Sequence, residues 1–396
     1  MTIKELFFQH VAPTSDLPLQ LEVQRAEACY IYDTNNKAYL DLISGISVGN
    51  LGHGHPNVRA AIHQQTDLYL HTMVYGEHIQ QPQVQLAQMV CSLLPDKLNA
   101  VYFTNSGSEA TEGAMKLAKR LSGRSEFIAF EKAYHGSTQG ALSLNGSEYF
   151  KQAFRPLLPD VKHIPFNQIE ALAHITTATA AVFVETVKVE AGVQCIDAVF
   201  FQKLRERCTE TGALLILDEI QTGMGRSGKL FSFEHFGVVP DVLLLGKAFG
   251  AGLPLAAFIA DKELLQQLSY QPVLGHITTF GGHPLSCAAA LAGLKTLVSE
   301  IDLADIAKKE ALFKARLQHK QIKAFRSFGF LMAIDLADFA AMRKVMNYCI
   351  EAGVLTDWFL FADNCLRISP PLIITTSEIE NVCSILLKGL DQLNYT

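Results

Sequence analysis

The chemistry open to this sequence is indicated first by Lys247, which follows the apolar run 242–246 and precedes the Gly-rich stretch 248–254. A buried strand that ends this way places an ammonium group at the carboxyl edge of a sheet, where open α/β sheets bind ligands. A lysine in a partly dry site has a lowered pKa and becomes an amine nucleophile. The pattern predicts Schiff-base chemistry at Lys247, although most lysines are solvated surface groups.

A second apolar run, 213–217, ends in Asp218, and we expect this carboxylate at the same sheet edge as Lys247. A carboxylate there can pair with a protonated pyridine nitrogen and keep the ring cationic, which makes the ring an electron sink. The alternatives are a helix cap or a magnesium ligand beside a phosphate-binding loop. The loop pattern G-x-x-x-x-G-K-[ST] does not occur in the chain, so a magnesium ligand at Asp218 would lack the phosphate-binding loop that accompanies it.

Two strand-to-loop junctions upstream offer further contacts. Residues 101–104 read as a strand, and the small residues 105–110 lead into a helical pattern at 114–119. Backbone N–H groups at such a helix start can hold a phosphate, although a Ser-capped turn gives the same pattern. After a strand-like run at 126–130, Tyr134 and His135 could stack on a flat ring, or simply pack in a core or an interface.

Taken together, these motifs resemble the class III pyridoxal-phosphate-dependent aminotransferases, which include the acetylornithine and ornithine aminotransferases of fold type I. The resemblance runs nearly end to end and rests on the segments 39–48, 52–56, 105–119, 217–228, 240–247, 278–285 and 366–372. It implies an α/β fold in which a large domain with a mostly parallel sheet flanked by helices joins a smaller α+β domain. It also implies pyridoxal 5'-phosphate as the cofactor.

The resemblance assigns catalytic roles to two residues. Lys247 would form the Schiff base with the cofactor and then move the proton, and Asp218 would hold the pyridine nitrogen. It implies that the cofactor is bound by Ser106, Gly107, Ser108, Tyr134, His135, Glu185, Asp218, Gln221, Lys247, Thr278 and Thr279. In that set Gln221 lies near the ring hydroxyl, and Thr279, with Thr278, reaches the phosphate of the neighbouring subunit. The last role implies a homodimer with shared active sites.

The implied reaction is a ping-pong transfer of an amino group from an amino acid or ω-amine to a 2-oxo acid. The donor would resemble acetylornithine, ornithine or 4-aminobutyrate. Two alternatives stay open from the sequence. An aminomutase or racemase of the same fold would turn over without an oxo-acid acceptor, and a non-catalytic ligand-binding relative would leave the cofactor unchanged by amines.

Four positions concern the substrate. Ser137 stands where acetylornithine and ornithine aminotransferases carry an Arg that clamps a carboxylate, and a hydroxyl cannot replace a cationic fork. Glu190 and Arg367 match the family's gating pair, in which the Glu masks the Arg until a dicarboxylic acceptor enters. Ile46 replaces the gatekeeping Tyr of ornithine aminotransferase, which favours acetylornithine or aminobutyrate.

Two charged residues near these motifs are harder to assign. Lys188 stands at the family's Gln, and our hypothesis is that it partly replaces the missing Arg charge. The alternative, a solvated loop lysine, is more common. Asp16 lies in a region that lines the substrate entrance in relatives, where it could favour an amine group or cap a helix.

Composition excludes several classes of protein. The chain has 396 residues, 49% of them hydrophobic, a net charge of −6 and no basic run, so we expect no nucleic-acid partner. No signal peptide or membrane-spanning run is apparent, and the eight cysteines are scattered, which predicts free thiols in a cytoplasmic enzyme. His53 and His55 flank a turn without a third ligand, so no metal site is expected.

The order of elements predicts the domain organisation. Strands alternate with helical stretches from about residue 100 to residue 260, which is typical of a parallel sheet with crossover helices. We expect a large cofactor-binding domain at 47–300 and a small domain at 301–396 that begins with a charged amphipathic helix over 301–318. Residues 1–46 would pack with the small domain.

Overall fold

Strands and helices alternate along the computed structural model, which describes residues 1–16 and 18–395. The strands are β1 (Val23–Glu27), β2 (Tyr30–Asp33), β3 (Ala38–Asp41), β4 (Ala100–Thr104), β5 (Glu126–Phe130), β6 (Val161–Ile164), β7 (Thr179–Glu185), β8 (Val187–Lys188), β9 (Gln194–Cys195), β10 (Leu214–Asp218), β11 (Val242–Leu245), β12 (Ala256–Ala260), β13 (Ala324–Ser327), β14 (Met332–Asp335), β15 (Val354–Leu355), β16 (Trp358–Phe359) and β17 (Ala362–Ile368).

The helices cover both faces of the main sheet and form much of the surface. They are α1 (Ile3–His10), the irregular turn α2 (Ser44–Ser47), α3 (Pro56–Leu68), α4 (Gln81–Ser92), α5 (Gly107–Ser122), α6 (Gln139–Leu144), α7 (Ala198–Thr211), α8 (Lys262–Leu265), α9 (Pro284–Glu300), α10 (Ala304–Arg316), α11 (Phe339–Glu351) and α12 (Thr376–Asp391). A 3₁₀ turn at Lys247–Gly250 follows β11. In the described residues, no helix is long and apolar enough to cross a membrane.

The central sheet has the strand order β4-β12-β11-β10-β7-β5-β6. Its strands are parallel except β12, which is antiparallel to both β4 and β11. The connection from β11 to β12 is too short for a crossover helix, so the chain returns antiparallel. The predicted α/β class with a mostly parallel sheet is confirmed, with this one strand reversed.

Alternate residues of the central strands enter two separate cores. Leu215, Leu217 and Leu243 pack on one face of the sheet, whereas Ile216 and Leu244 pack on the other. Successive strand residues point to opposite faces, and helices cover both faces, so continuous apolar runs are required. This burial holds the carboxyl ends of β10 and β11 rigidly side by side.

Smaller sheets surround the central one. The order β1-β2-β3-β15 joins the N-terminal strands to a C-terminal strand, and β13-β14-β17-β16 forms a second sheet, while β8 and β9 make a two-stranded ribbon. The predicted helix over 301–318 is present as α10. We propose the division at 1–46, 47–300 and 301–396, with the N-terminal segment beside the C-terminal region, because β3 pairs with β15.

Candidate active site

Lys247 and Asp218 lie at the same edge of the central sheet. Strands β10 and β11 are parallel neighbours, and Asp218 pairs in register with Leu244. Lys247 follows three residues later, and its Nζ donates a hydrogen bond to Oε1 of Gln221 at 2.7 Å. The sheet therefore brings together three of the residues that the sequence singled out.

The lysine is held in an unusual state. Its backbone φ is +49°, a left-handed conformation that costs energy for a residue with a side chain. Burial lowers the pKa of Lys247 to about 8, although the Glu190 carboxylate opposes that effect. A free amine is therefore accessible much closer to neutral pH than for an ordinary lysine.

Asp218 is buried and fixed through both of its oxygens. Oδ1 accepts the backbone N–H of Ile220 at 3.0 Å, and Oδ2 lies 2.8 Å from Nδ1 of His135. Burial disfavours the charged imidazole, but the hydrogen bond and charge of Asp218 outweigh it and raise the pKa of His135. The sequence placed His135 beside Tyr134 on a ring face. Its contact with Asp218, from a strand far along the chain, was not foreseen.

Two buried nitrogens at this edge have no hydrogen-bond partner among the described residues. They are Nε2 of Gln221 and Nε2 of His135. Buried polar atoms are nearly always satisfied in folded proteins. Oε1 of Gln221 accepts from Lys247. Its Nε2 therefore remains available as a donor to a ligand beside Lys247.

Tyr134 is set in place from its backbone and its hydroxyl group. Its N–H donates to Oε2 of Glu185 at 3.1 Å, and its hydroxyl group lies 3.1 Å from Oγ of Ser137. Glu185 ends β7 and is buried, which raises its pKa to about 8. The structure thus groups three predicted site residues along one wall.

The N-terminus of α5 lies beside these residues. Oγ of Ser106 accepts the N–H of Glu109 at 3.3 Å and caps the helix. Gly107 has no room for a side chain, because a Cβ there would lie 2.7 Å from Cδ1 of Ile220. Ser108 Oγ accepts the N–H of Ser137 at 3.1 Å. The first N–H groups of a helix lack intrahelical partners, so this end can hold an anion.

Thr278 and Thr279 differ in their surroundings. Oγ1 of Thr278 accepts from Nδ2 of Asn105 at 2.8 Å, so this segment touches the approach to α5 in its own chain. Thr279 is exposed. The contact of Thr278 lies within its own chain. The predicted contribution of Thr278 and Thr279 to the neighbouring subunit's site therefore stays a proposal.

A cleft of about 760 Å³ opens in front of Lys247. Tyr134, Glu190, Arg367 and Ile46 line it together with one face of α11. Ile46 has a φ of +61° and lies in a run of left-handed residues, 44–47, which is a strained conformation for a β-branched side chain. The four cleft residues and Lys247 therefore surround one space that is large enough for a substrate.

Arg367 is bound by two carboxylates. Its Nη1 and Nη2 each lie 3.0 Å from an oxygen of Glu190, and its Nε donates to Oδ1 of Asp357 at 2.8 Å. Burial would raise the pKa of Glu190, but the charge of Arg367 lowers it overall. For Asp357 burial dominates and raises the pKa to about 6. Asp357 follows the short strand β15, and no motif marked it in the sequence.

The interpretation of Lys188 as a solvated loop lysine is wrong, whereas its partial replacement of the missing Arg charge stays a hypothesis. The side chain is buried in β8, and its Nζ donates to the carbonyl oxygen of Glu131 at 2.8 Å and lies 4.2 Å from the ring centre of Phe166. It is neither a solvated loop lysine nor one of the cleft-lining residues. Asp16 is exposed between α1 and β1, where no helix begins among the described residues, so it caps none.

The two turn histidines have structural partners. Nε2 of His53 lies 2.9 Å from Oδ2 of Asp41, and Nδ1 of His55 accepts the N–H of Asn57 at the start of α3. Within residues 1–16 and 18–395, no group of three or more His, Cys, Asp or Glu side chains is placed to hold a metal ion.

Known proteins resemble this chain in sequence over most of its length. The sequence model of the family "Aminotransferase class-III" matches residues 11–390. An acetylornithine aminotransferase of Methanopyrus kandleri is 37% identical over 370 residues, 92% of each chain. The acetylornithine aminotransferase of Gloeobacter violaceus is 36% identical over 401 residues, which cover 98% of this chain and 97% of that protein.

A solved structure has the same fold over nearly the whole chain. It is the ornithine aminotransferase of Toxoplasma gondii, which is 28% identical and superposes with a TM-score of 0.91 over 99% of this chain and 95% of that one. That structure is described as having partial occupancy of pyridoxal phosphate at its active site.

Proposed function

The chain belongs to the class III aminotransferases and uses pyridoxal phosphate, and we propose that it transfers the amino group of an acetylornithine-, ornithine- or 4-aminobutyrate-like donor to a 2-oxo acid by a ping-pong mechanism through Lys247. The observation that carries the proposal is the grouping of Lys247, Gln221 and Asp218 at one sheet edge, in front of a cleft that holds the Glu190–Arg367 pair.

The residues at this edge fit the cofactor. A helix N-terminus suits its phosphate, a buried carboxylate suits its ring nitrogen, and the unsatisfied Nε2 of Gln221 suits its ring hydroxyl. We propose that Ser106, Gly107 and Ser108 hold the phosphate, Asp218 the nitrogen and Tyr134 a ring face. Pyridoxal phosphate supplies an electron sink for the carbanion formed when the substrate loses a proton.

Lys247 performs two tasks in this proposal. Its amine would hold the cofactor, and the same amine, when free, would remove and return protons at the substrate. Burial lowers the pKa of Lys247 to about 8, so the group can both accept and release a proton near neutral pH. The hydrogen bond to Gln221 fixes Nζ beside the site of reaction.

The carboxylate of Asp218 is held in one orientation by two hydrogen bonds. The N–H of Ile220 and the imidazole of His135 occupy an oxygen each, so the carboxylate cannot rotate. We assign His135 as a positioning residue for Asp218, and Glu185 as the residue that positions the backbone of Tyr134.

Glu190 and Arg367 act as the substrate gate. With the pair closed, Glu190 covers the guanidinium of Arg367, and with Glu190 displaced, Arg367 presents that guanidinium to a carboxylate. Asp357 stays bound to Nε of Arg367 whether or not Glu190 is displaced. Its charge weakens the attraction of Arg367 for a dicarboxylic acceptor.

We also propose a homodimer in which Thr278 and Thr279 reach the partner's phosphate site. The exposed side chains of Thr279, Ile277 and Phe280 support this, since apolar groups beside a polar contact are typical of an interface. A cytoplasmic location is supported by all eight cysteines being free thiols. Light scattering of the purified protein tests the dimer, and a monomer of full activity would refute it.

Titration of the visible spectrum with single amines tests the reaction. Acetylornithine, ornithine, 4-aminobutyrate, lysine, glutamate and alanine are added separately, followed by a 2-oxo acid. The expected result is bleaching of the cofactor band by one class of amine and its return with the oxo acid. Turnover of an amine without any acceptor would instead establish the isomerase alternative.

A further inference from the structure

Three basic side chains line the cleft among the described residues, and they differ in their freedom to bind substrate. They are Lys247, Arg343 and Arg367. Lys247 is committed to the cofactor in the proposed function, on which the following inference rests. The question is which remaining cation meets a substrate carboxylate.

Arg367 has its guanidinium fully engaged. Nε donates to Asp357, Nη1 and Nη2 donate to Glu190, and Nη2 also donates to the carbonyl oxygen of Trp358 at 3.1 Å. Two carboxylates face one cation, so this cluster carries net negative charge when both are ionised. A carboxylate that enters here must displace at least one of them.

Ser137, where related enzymes carry an Arg, offers no charge. Ser137 is exposed, its N–H is bound to Ser108, and its hydroxyl group lies against that of Tyr134. A serine hydroxyl can donate one hydrogen bond but cannot neutralise an anion. A carboxylate on the substrate therefore needs another partner in this cleft.

Arg343 is such a partner. It lies on α11, where Arg343, Met346, Asn347, Ile350 and Glu351 line the cleft at helical spacing. Its guanidinium lies 5.9 Å from the ring centre of Phe339, and it forms no hydrogen bond or ion pair with residues 1–16 and 18–395. A half-buried guanidinium with five unused donors suits a planar carboxylate.

We propose that Arg343 binds the remote carboxylate of the amino donor, at the end of the molecule away from the reacting amine. The substrate class is then amines that carry a distal carboxylate, such as ω-amino acids and N-acylated diamino acids. The amide of Asn347, one turn further along α11, offers a second donor to the same carboxylate.

Matched donors that differ only in the carboxylate test the proposal. One pair is 5-aminovalerate and butylamine, and the other is N-acetylornithine and N-acetylputrescine. The variants are Arg343→Met, Arg343→Lys and the control Lys344→Met, which removes the neighbouring exposed charge outside the cleft. Single-turnover bleaching of the cofactor band against donor concentration gives the apparent Kd, and calorimetry measures the binding of adipate, an unreactive dicarboxylate.

Arg343→Met is expected to raise the apparent Kd about 10- to 100-fold for the two donors with a carboxylate, because a charge-assisted contact is lost. The two plain amines should bind as before, Arg343→Lys should retain part of the affinity, and Lys344→Met should match the wild type. Adipate should bind more weakly to Arg343→Met.

Equal losses for both members of a pair would show a structural role and overturn the proposal, as would unchanged affinity for all four donors. If no amine changes the spectrum of the wild type, the proposed function fails. Adipate binding then decides the anion site on its own, since equal affinity for the wild type and Arg343→Met would overturn it.

Discussion

Nδ1 of His135 lies 2.8 Å from Oδ2 of Asp218, and both side chains are buried. The histidine is itself held in place, because its backbone N–H donates to Oδ1 of Asn145 at 2.8 Å. Nδ2 of Asn145 donates in turn to the carbonyl oxygen of Gly136. The carboxylate proposed to hold the cofactor ring is thus oriented by a chain of hydrogen bonds that reaches into the loop before α6.

Replacing His135 with Leu should weaken cofactor binding about 10- to 100-fold, because partners that orient a binding group are worth about that much. The carboxylate of Asp218 would lose the partner that orients it. The Kd follows from titrating cofactor-free enzyme and recording visible absorbance. His163→Leu is the matched control, since Nε2 of that half-buried histidine lies 3.0 Å from the carbonyl oxygen of Leu144 and forms no hydrogen bond with Asp218. Equal affinity of His135→Leu and the wild type would contradict the positioning role.

Covalent capture of the cofactor should depend on pH through Lys247. An ammonium must lose its proton before it can attack, and burial lowers the pKa of Lys247 to about 8. The rate of capture by cofactor-free enzyme should therefore rise as pH increases through about 8 and then level off. Stopped-flow absorbance measures it, and a rate that keeps rising to pH 10 would indicate an ordinary solvated lysine.

Asp357 should set the pH dependence of acceptor binding. Burial raises its pKa to about 6, so its charge is lost as pH falls through that value. Arg367 then has one carboxylate fewer, and the KM for 2-oxoglutarate should fall in acid. Asp357→Asn should lower that KM at neutral pH by about tenfold, which corresponds to one charge-assisted contact. It should also remove the pH dependence of the KM. Asp363→Asn, a surface control, should behave as wild type; a dependence that survives in Asp357→Asn would refute the assignment.

Gly136 should be needed for the phosphate end of the site. Its φ is +126°, and a Cβ there would lie 2.9 Å from Cβ of Ser108. Gly136→Ala should cost about 1–3 kcal/mol of stability. It should also weaken the binding of pyridoxal phosphate more than the binding of unphosphorylated pyridoxal. Gly123→Ala is the control, because Gly123 has a φ of +67° with open space around it. Urea unfolding and cofactor titration measure both effects, and an equal effect on the two cofactor forms would count against the phosphate role.

The sequence predicted the parts of the site that local pattern determines. Lys247 and Asp218 end apolar strands, and strand ends of a parallel sheet share an edge whatever the rest of the chain does. Arg343 and Asp357 could not be found in this way, because they reach the cleft through the packing of α11 and of the turn after β15. The burial of Lys188 also depends on tertiary contacts, with Glu131 and Phe166, that no local period encodes.

The central claim is that Lys247 carries the cofactor, and the chain contains a rival for that role. Burial lowers the pKa of Lys188, like that of Lys247, to about 8, so either amine could react with an aldehyde. Borohydride reduction of the holoenzyme, proteolysis and mass spectrometry would locate the phosphopyridoxyl group. We predict that it lies on the peptide containing Lys247 and is absent from the peptide containing Lys188. A label on Lys188, or no label on Lys247, would contradict the account.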